Sequence, residues 1–382
     1  MRSYLDHILS SFHSATGWNA DNSYANLTAT SRDVLDFALP RGFSVTVCSM
    51  ASGASATSYT LRNLSGIVDG SVAYFYSQPR DLLAGSRLRT ASKRGLADAM
   101  GGVPSWWLPQ DQQADRQRQA AQARVLLQEW QAGRRVDPRS LVVYAKMYVP
   151  ARMLEALVVS QLGPHTQATV MAVSSDQIRH GGSATAQVAR QRARWTTEAV
   201  YATDEALTGV RALYSAGGLS AGAEMFYGAL NKAGGVSTGL RYVTTTALEH
   251  PHQHQHNHLS TTSAFTLTCN PVTAHVSAAY AVRAAATGTA FASRLEFNGY
   301  SYESDLTVGC ELWRSTSTAP GDNTDHDHDD VETILRLRAS TSQPAVRIMV
   351  EGRLNKAFVC SLGADVRVTG LQSLGAAMTY AG

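Results

Sequence analysis

One feature narrows the folds open to this chain more than any other. From Gly42 to the C-terminus, apolar side chains recur at every second position, in run after run. A period of two is the signature of strands with one apolar face. In 302–312, Tyr302, Ser304, Leu306, Val308, Cys310 and Leu312 oppose Glu303, Asp305, Thr307, Gly309 and Glu311. In 345–354, Val346, Ile348, Val350 and Leu354 oppose Arg347, Met349, Glu351 and Arg353. In 357–368, Phe358, Cys360, Leu362, Ala364, Val366 and Val368 oppose Ser361, Gly363, Asp365 and Arg367; in 372–380, Leu374, Ala376, Met378 and Tyr380 oppose Ser373, Gly375, Ala377 and Thr379. Similar runs occupy 42–50, 141–149, 219–229 and 273–283. Each has about the 9–11 residues that a tilted strand needs to cross a bilayer. Roughly eighteen such segments follow one another through short Gly, Pro, Ser or Asn turns.

Almost no helix separates the strands, so a parallel α/β sheet is excluded. No apolar run approaches the ~20 residues of a membrane-spanning helix. The remaining architectures are a closed membrane barrel and a soluble sandwich or propeller, and alternation alone does not separate them. No blade-like repeat is visible. Composition bears on the choice. The chain is 44% hydrophobic and only 16% charged, against a usual charged share near 25%, as expected of a surface that water does not reach. A net charge of +3 gives no footprint for nucleic acid.

Residues 1–16 predict one amphipathic helix, with Leu5, Ile8, Leu9 and Phe12 on a single face. Asp6 and His7 break what would be the apolar core of a secretory signal. Without such a signal, the acceptor patterns Asn26-Leu-Thr28 and Asn63-Leu-Ser65 carry little weight. The expected organisation is a helix and polar segment over 1–40 acting as a lumenal plug, then a barrel over 41–382 with a rim insertion at 80–140. Gln110 to Gln131 of that insertion reads as a polar helix. A His-rich loop (248–258) and an acidic loop (315–330) belong at the rims, because irregular backbone in lipid leaves polar groups unsatisfied.

No catalytic pattern stands out, and the chain reads as a non-enzyme without a cofactor: the P-loop and HExxH are both missing. Glu303, Asp305 and Glu311 suggest acid–base chemistry, but with Arg336, Arg338, Arg347 and Arg353 nearby they read more simply as a hydrated, mixed-charge lumen. The alternating histidines His250 to His258 form no four-ligand metal pattern. Cys48, Cys269, Cys310 and Cys360 lie in strand-like runs and read as small wall residues. The last strand carries Ser373-x-Gly375-x-x-Met378-x-Tyr380, an apolar-faced strand able to add to an open sheet edge. Tyr74, Phe75 and Tyr76 end an early strand. They read either as interfacial aromatics or as a partner contact.

Trp18-Asn19-x-Asp21-Asn22-Ser23-Tyr24, Leu27-Thr28-Ala29-Thr30, Leu35-Asp36-Phe37, Asp69-Gly70-Ser71-Val72-Ala73-Tyr74 and Gly309-Cys310-Glu311-Leu312 resemble the fungal mitochondrial distribution and morphology protein 10 family. The resemblance implies an all-β, transmembrane barrel of about nineteen strands, porin-like and related to the voltage-dependent anion channel. The strand missing from the count is expected near Leu82–Arg89 or inside a run divided wrongly. The resemblance also implies the mitochondrial outer membrane and two assemblies: the ER–mitochondria encounter structure and the sorting and assembly machinery. Implied partners are the other subunits of both, a small subunit of the outer-membrane translocase, and membrane lipid. It makes the C-terminal pattern a sorting signal. An odd strand number pairs the first and last strands in parallel, and residues 1–16 are then expected inside the barrel as a plug. The competing expectation is an open metabolite or ion channel.

Overall fold

The structure is a computed structural model. It describes Leu5, Ile8, Leu9, Phe12 and His13, then residues 16–52, 54–64, 66–78, 129–131, 134–136, 140–163, 165–176, 181–248, 259–284, 288–316, 331–342, 344–355, 358–367 and 370–381. The first strands are β1 (Gly42–Ser52), β2 (Ser55–Leu64) and β3 (Ile67–Gln78). A separate two-stranded hairpin, β4 (Glu129–Gln131) and β5 (Arg134–Val136), follows. The wall continues with β6 (Leu141–Val149), β7 (Met153–Gly163), β8 (Thr166–Ser174), β9 (Gly182–Gln191), β10 (Trp195–Ala202), β11 (Leu207–Ala216) and β12 (Leu219–Gly228). Next come β13 (Ala233–Leu248), β14 (Leu259–Asn270), β15 (His275–Ala284), β16 (Thr289–Asn298) and β17 (Ser304–Thr316). β18 (Val331–Ser340), β19 (Ala345–Asn355), β20 (Phe358–Arg367) and β21 (Gly370–Ala381) complete it.

Neighbouring strands pair antiparallel throughout, and the sheet of 19 strands closes through one parallel seam between β1 and β21. Its register runs from Gly42 opposite Gly375 to Cys48 opposite Ala381. Closure removes the sheet edges, the one strand architecture that satisfies its backbone in lipid. The segment near Leu82–Arg89 lies outside the described residues, and the ring closes without it. Alternation sets the two faces as the sequence predicts. In β3, Ser71, Ala73, Phe75 and Ser77 are buried inward, while Val72, Tyr74 and Tyr76 are exposed outward.

Antiparallel order also sorts the rims. β1 begins at one rim, called near, and ends at the other, called far. Strand order then places the connections spanning 79–140, 249–258 and 317–330 all on the far rim, where β21 also ends. The outer face carries aromatics toward both rims: Phe43, Tyr201, Tyr227 and Phe297 near, Tyr76, Trp195, Phe358 and Tyr380 far. Two such girdles bound the lipid-facing band of a membrane barrel.

Two expectations need correction. The helix expected over Gln110 to Gln131 does not reach its end: Glu129–Gln131 pairs with Arg134–Val136. In sequence only Ala132 and Gly133 separate the two strands, and such a Gly-containing pair between strands is a hairpin signal; residues 110–128 lie outside the described residues. Tyr302 and Glu303 are also not on strand faces. β17 starts at Ser304, because Asn298 Oδ1 accepts the backbone N–H groups of Tyr300 and Ser301 and holds a turn in which Tyr302 has φ 56°. An Asx turn with a left-handed residue ends strand geometry there.

Candidate functional site

The inner wall is where the sequence builds something unusual. Leu5, Ile8, Leu9, Phe12, His13 and Thr16 are helical and lie inside the barrel. Ile8 and Phe12, 1% and 2% exposed, pack with Ala56, Ala73, Phe75, Val142, Tyr144, Leu157 and Val159 of β2, β3, β6 and β7; Leu5 and Leu9 flank them. The apolar face predicted from i, i+3, i+4, i+7 spacing thus meets an apolar stretch of lumen. Burying that face is worth about 1.5–3 kcal/mol per large side chain, before ordering costs.

The chain does not stop there. Residues 17–41 continue along the inner wall as a belt in register with strand order. Tyr24 and Leu27 face Gly222 of β12 and Gly239 of β13. Val34 and Leu35, in the short helix Ala29–Leu35, pack on Ala264, Ala281, Ala290 and Ala292 of β14–β16, and Leu35 abuts Gly309 of β17. Leu39 and Pro40 lie on Gly363 of β20, and the Pro40 carbonyl on Gly375 of β21. A Cβ at Gly222, Gly239, Gly309, Gly363 or Gly375 would collide with the belt. Glycine inside a strand often marks such a backbone approach. The lumenal face thus carries a track of small residues shaped to its own N-terminal segment.

Polar contacts fasten the belt along its length. Gln191 donates to the Asn19 carbonyl at 2.6 Å, Ser215 to Asn22 at 3.1 Å, and Tyr24 shares a 2.6 Å bond with Ser237. Arg241, buried, reaches the carbonyls of Asn26 and Asp21. Asp36 is the strongest tie: Arg294 donates to both its oxygens at 2.7 and 3.0 Å, and Arg338 adds a contact at 3.3 Å. Bidentate, charge-assisted pairs are the directional ones. Burial pushes the His13 imidazole down to about 4, with Asp21 opposing. It stays neutral at physiological pH, and its Nε2 accepts from the Gln167 amide at 3.2 Å. The sequence reading assigned residues 1–40 to a lumenal plug and Arg338 to a mixed-charge lumen, but gave contacts only to the helix over 1–16 and assigned no lumenal role to Tyr24, Leu27, Asp36 or Arg294. The signal for the belt was the recurrence of Gly on lumen-facing strand positions.

The rest of the lumen is mixed in charge and largely paired. Arg336 bridges Glu311 and Glu351, each at 3.0 Å, and Arg347 meets Asp365. Asp305 accepts from Ser340, Thr341 and the Ser342 backbone. Glu311 and Asp305, candidates for acid–base work in the sequence, are tied into these structural networks.

Tyr74 and Tyr76 share the outer wall at the far rim, 49% and 37% exposed, opposite Ala145 and Val143 of β6. Phe75 points the other way, stacks on Tyr144 with ring centroids 4.9 Å apart, and is buried beneath the helix. It is not available to a partner outside the barrel. On β21, Met378 and Tyr380 lie outward, while Ser373 and Gly375 face the lumen. Gly375 therefore has a steric duty of its own. We expect Gly375→Ala to lower the yield of closed barrel by about 1–3 kcal/mol of overpacking. Refolding into lipid vesicles, read as heat-modifiable gel mobility, needs no sorting machinery. Unchanged yield there would show that the Pro40 contact is dispensable.

Over residues 1–333 the chain matches the family described as mitochondrial distribution and morphology protein 10. It is similar to the proteins of that name from Phaeosphaeria nodorum (35% identity, covering 96% of this chain and 95% of the relative), Sclerotinia sclerotiorum (36%, 82% and 78%) and Yarrowia lipolytica (32%, 94% and 93%).

Proposed function

The chain belongs to the mitochondrial distribution and morphology protein 10 family, and from that premise we propose that it is a binding and assembly platform in the mitochondrial outer membrane. Its role lies in mitochondrial distribution and morphology, as a membrane barrel and complex subunit rather than an enzyme. In the finer reading it serves two assemblies. One is the ER–mitochondria encounter structure, where it supports lipid exchange. The other is the sorting and assembly machinery, where its partners are the core subunits and a small subunit of the translocase.

The observation that carries this reading is the belt. A lumen whose wall is cut to hold the protein's own first forty or so residues is shaped for a fixed occupant rather than for flux. Partner contacts then fall to the outer wall and the rims. A second reading, an open metabolite or ion channel, draws on one feature: the lumen-facing Met171 of β8 is 46% exposed, so the belt leaves free space on that side. The mixed lumenal charge gives no preference for one ion sign.

Tyr74 and Tyr76 are the proposed partner contact, since aromatic side chains dominate interface energetics. Ser373, Gly375, Met378 and Tyr380 are the proposed sorting signal. Replacing Tyr74 and Tyr76 together by Ala is expected to release one of the two assemblies while the barrel still inserts. Native gels of solubilised membranes read this directly. If both assemblies persist at normal abundance, the tyrosines belong only to the aromatic girdle.

A further inference from the structure

The end of β9 and the β9–β10 turn carry Arg190, Arg192 and Arg194 within five residues. All three are exposed, and among the described residues none pairs with a carboxylate. This contrasts with the lumen, where Arg211, Arg294, Arg336 and Arg347 all have acidic partners. The neighbouring far-rim turns do not neutralise them. Residues 163–166 are Gly-Pro-His-Thr and 216–219 are Ala-Gly-Gly-Leu. Backbone bonds tie the three turns into one arc: Gln191 N–H donates to the His165 carbonyl at 2.9 Å, and Ser215 N–H to the Arg194 carbonyl at 2.8 Å.

Height on the wall gives the arc its meaning. Arg190 faces outward, opposite Thr166 and Thr197. On the same outer face Trp195 stacks on Tyr214, ring centroids 4.7 Å apart. That pair belongs to the far-rim girdle, where a barrel strand leaves hydrocarbon for headgroups. Directly below, the lipid-facing column is Val188, Ala186 and Val170. The arrangement is an apolar wall with an aromatic pair beside it and, at the far-rim end, three exposed guanidinium groups without a carboxylate partner among the described residues.

We propose that this arc binds the phosphate of an anionic phospholipid of the surrounding bilayer, its acyl chains lying on the β8–β9 wall. Guanidinium suits the task because its planar fork pairs with two phosphate oxygens at once and is always charged. A lipid rather than an acidic protein is the favoured occupant because the apolar column and the arginines are continuous on the outer face.

The test uses the full-length barrel in nanodiscs of phosphatidylcholine carrying a minority of phosphatidylglycerol, with co-purifying lipid counted by native mass spectrometry. The wild type should be enriched in the anionic lipid. Arg190→Gln, Arg192→Gln and Arg194→Gln combined should lower that enrichment about tenfold, while Arg152→Gln at the near rim leaves it intact. Heat-modifiable mobility reports whether each variant is folded. Should the triple variant fail to fold, salt titration of the wild type decides: the enrichment must fall as salt rises. Inorganic phosphate at matching concentration should displace little of the lipid, because it lacks the chains. The proposal is overturned if the wild type shows no anionic preference, if the preference survives the triple substitution or high salt, or if free phosphate competes fully. Survival of the preference in the triple variant would leave the arc to an acidic protein surface.

Discussion

Leu362→Arg should abolish or severely reduce membrane insertion. Leu362 lies midway along β20, faces outward, is 59% exposed, and pairs with Val350 and Ala376 on the same lipid-facing surface. An arginine at the midplane of a barrel's lipid face costs about 2–4 kcal/mol, falling to about 0–1 near the interfaces. Val366 faces lipid too, but it is next to the last residue of β20, so Arg there should cost less. Met378 lies against Val45 across the parallel seam, where an insertion penalty and a closure defect would be confounded. Lumenal controls also need care. Gly363, a natural choice from alternation, holds Leu39 and Pro40 and has no room for a side chain. Met171 is the better control, since it faces the open part of the lumen. Carbonate extraction should leave Met171→Arg in the membrane pellet and release Leu362→Arg. Equal retention of both would contradict a lipid-facing outer wall.

Removing residues 1–16 should leave the wall assembled and raise single-channel conductance in planar bilayers severalfold. The helix covers β2, β3, β6 and β7, and deleting it uncovers the apolar lumen around Phe75 and Tyr144. The nineteen strands keep every ladder bond, because backbone pairing in a barrel is between strands. The belt from Trp18 onward has its own anchors, so opening should be partial. Adding Asp36→Asn loosens the Arg294 and Arg338 tie and should widen the pore further. It should also make the current more anion-selective, because Arg338 loses its carboxylate partner and Arg294 keeps only Glu296. Conductance that is unchanged in both variants would remove the belt as the reason the lumen is restricted. Wild-type conductance as large as that of the truncated protein would favour the channel reading instead.

Alternation in the runs near the C-terminus was enough to assign faces. Leu306, Val350, Leu362 and Leu374 lie outside, and Thr307, Met349, Ser361 and Gly375 inside. A strand has only two faces, so periodicity is decisive once strand geometry holds. Helical spacing likewise placed Leu5, Ile8, Leu9 and Phe12 on one face, and the need of that face for cover pointed into the barrel. Sequence alone left open whether the apolar faces met lipid or a soluble core, because both environments reward the same pattern.

Tertiary structure decided what depends on residues far apart in sequence meeting across the lumen. Gly222, Gly239, Gly309, Gly363 and Gly375 look like unrelated interruptions of five strands until closure sets them on one inner surface beneath residues 24–41. Asp36 gains its meaning from Arg294, 258 positions away. Phe75 sits between two tyrosines in sequence, yet the pleat and the helix turn it from a candidate contact into lumenal packing. The clustering of the three long connections on one rim follows from strand order once the exact count is known. Local patterns report the face a side chain takes, since that is set by backbone geometry within a few residues. What that face touches depends on closure of the ring.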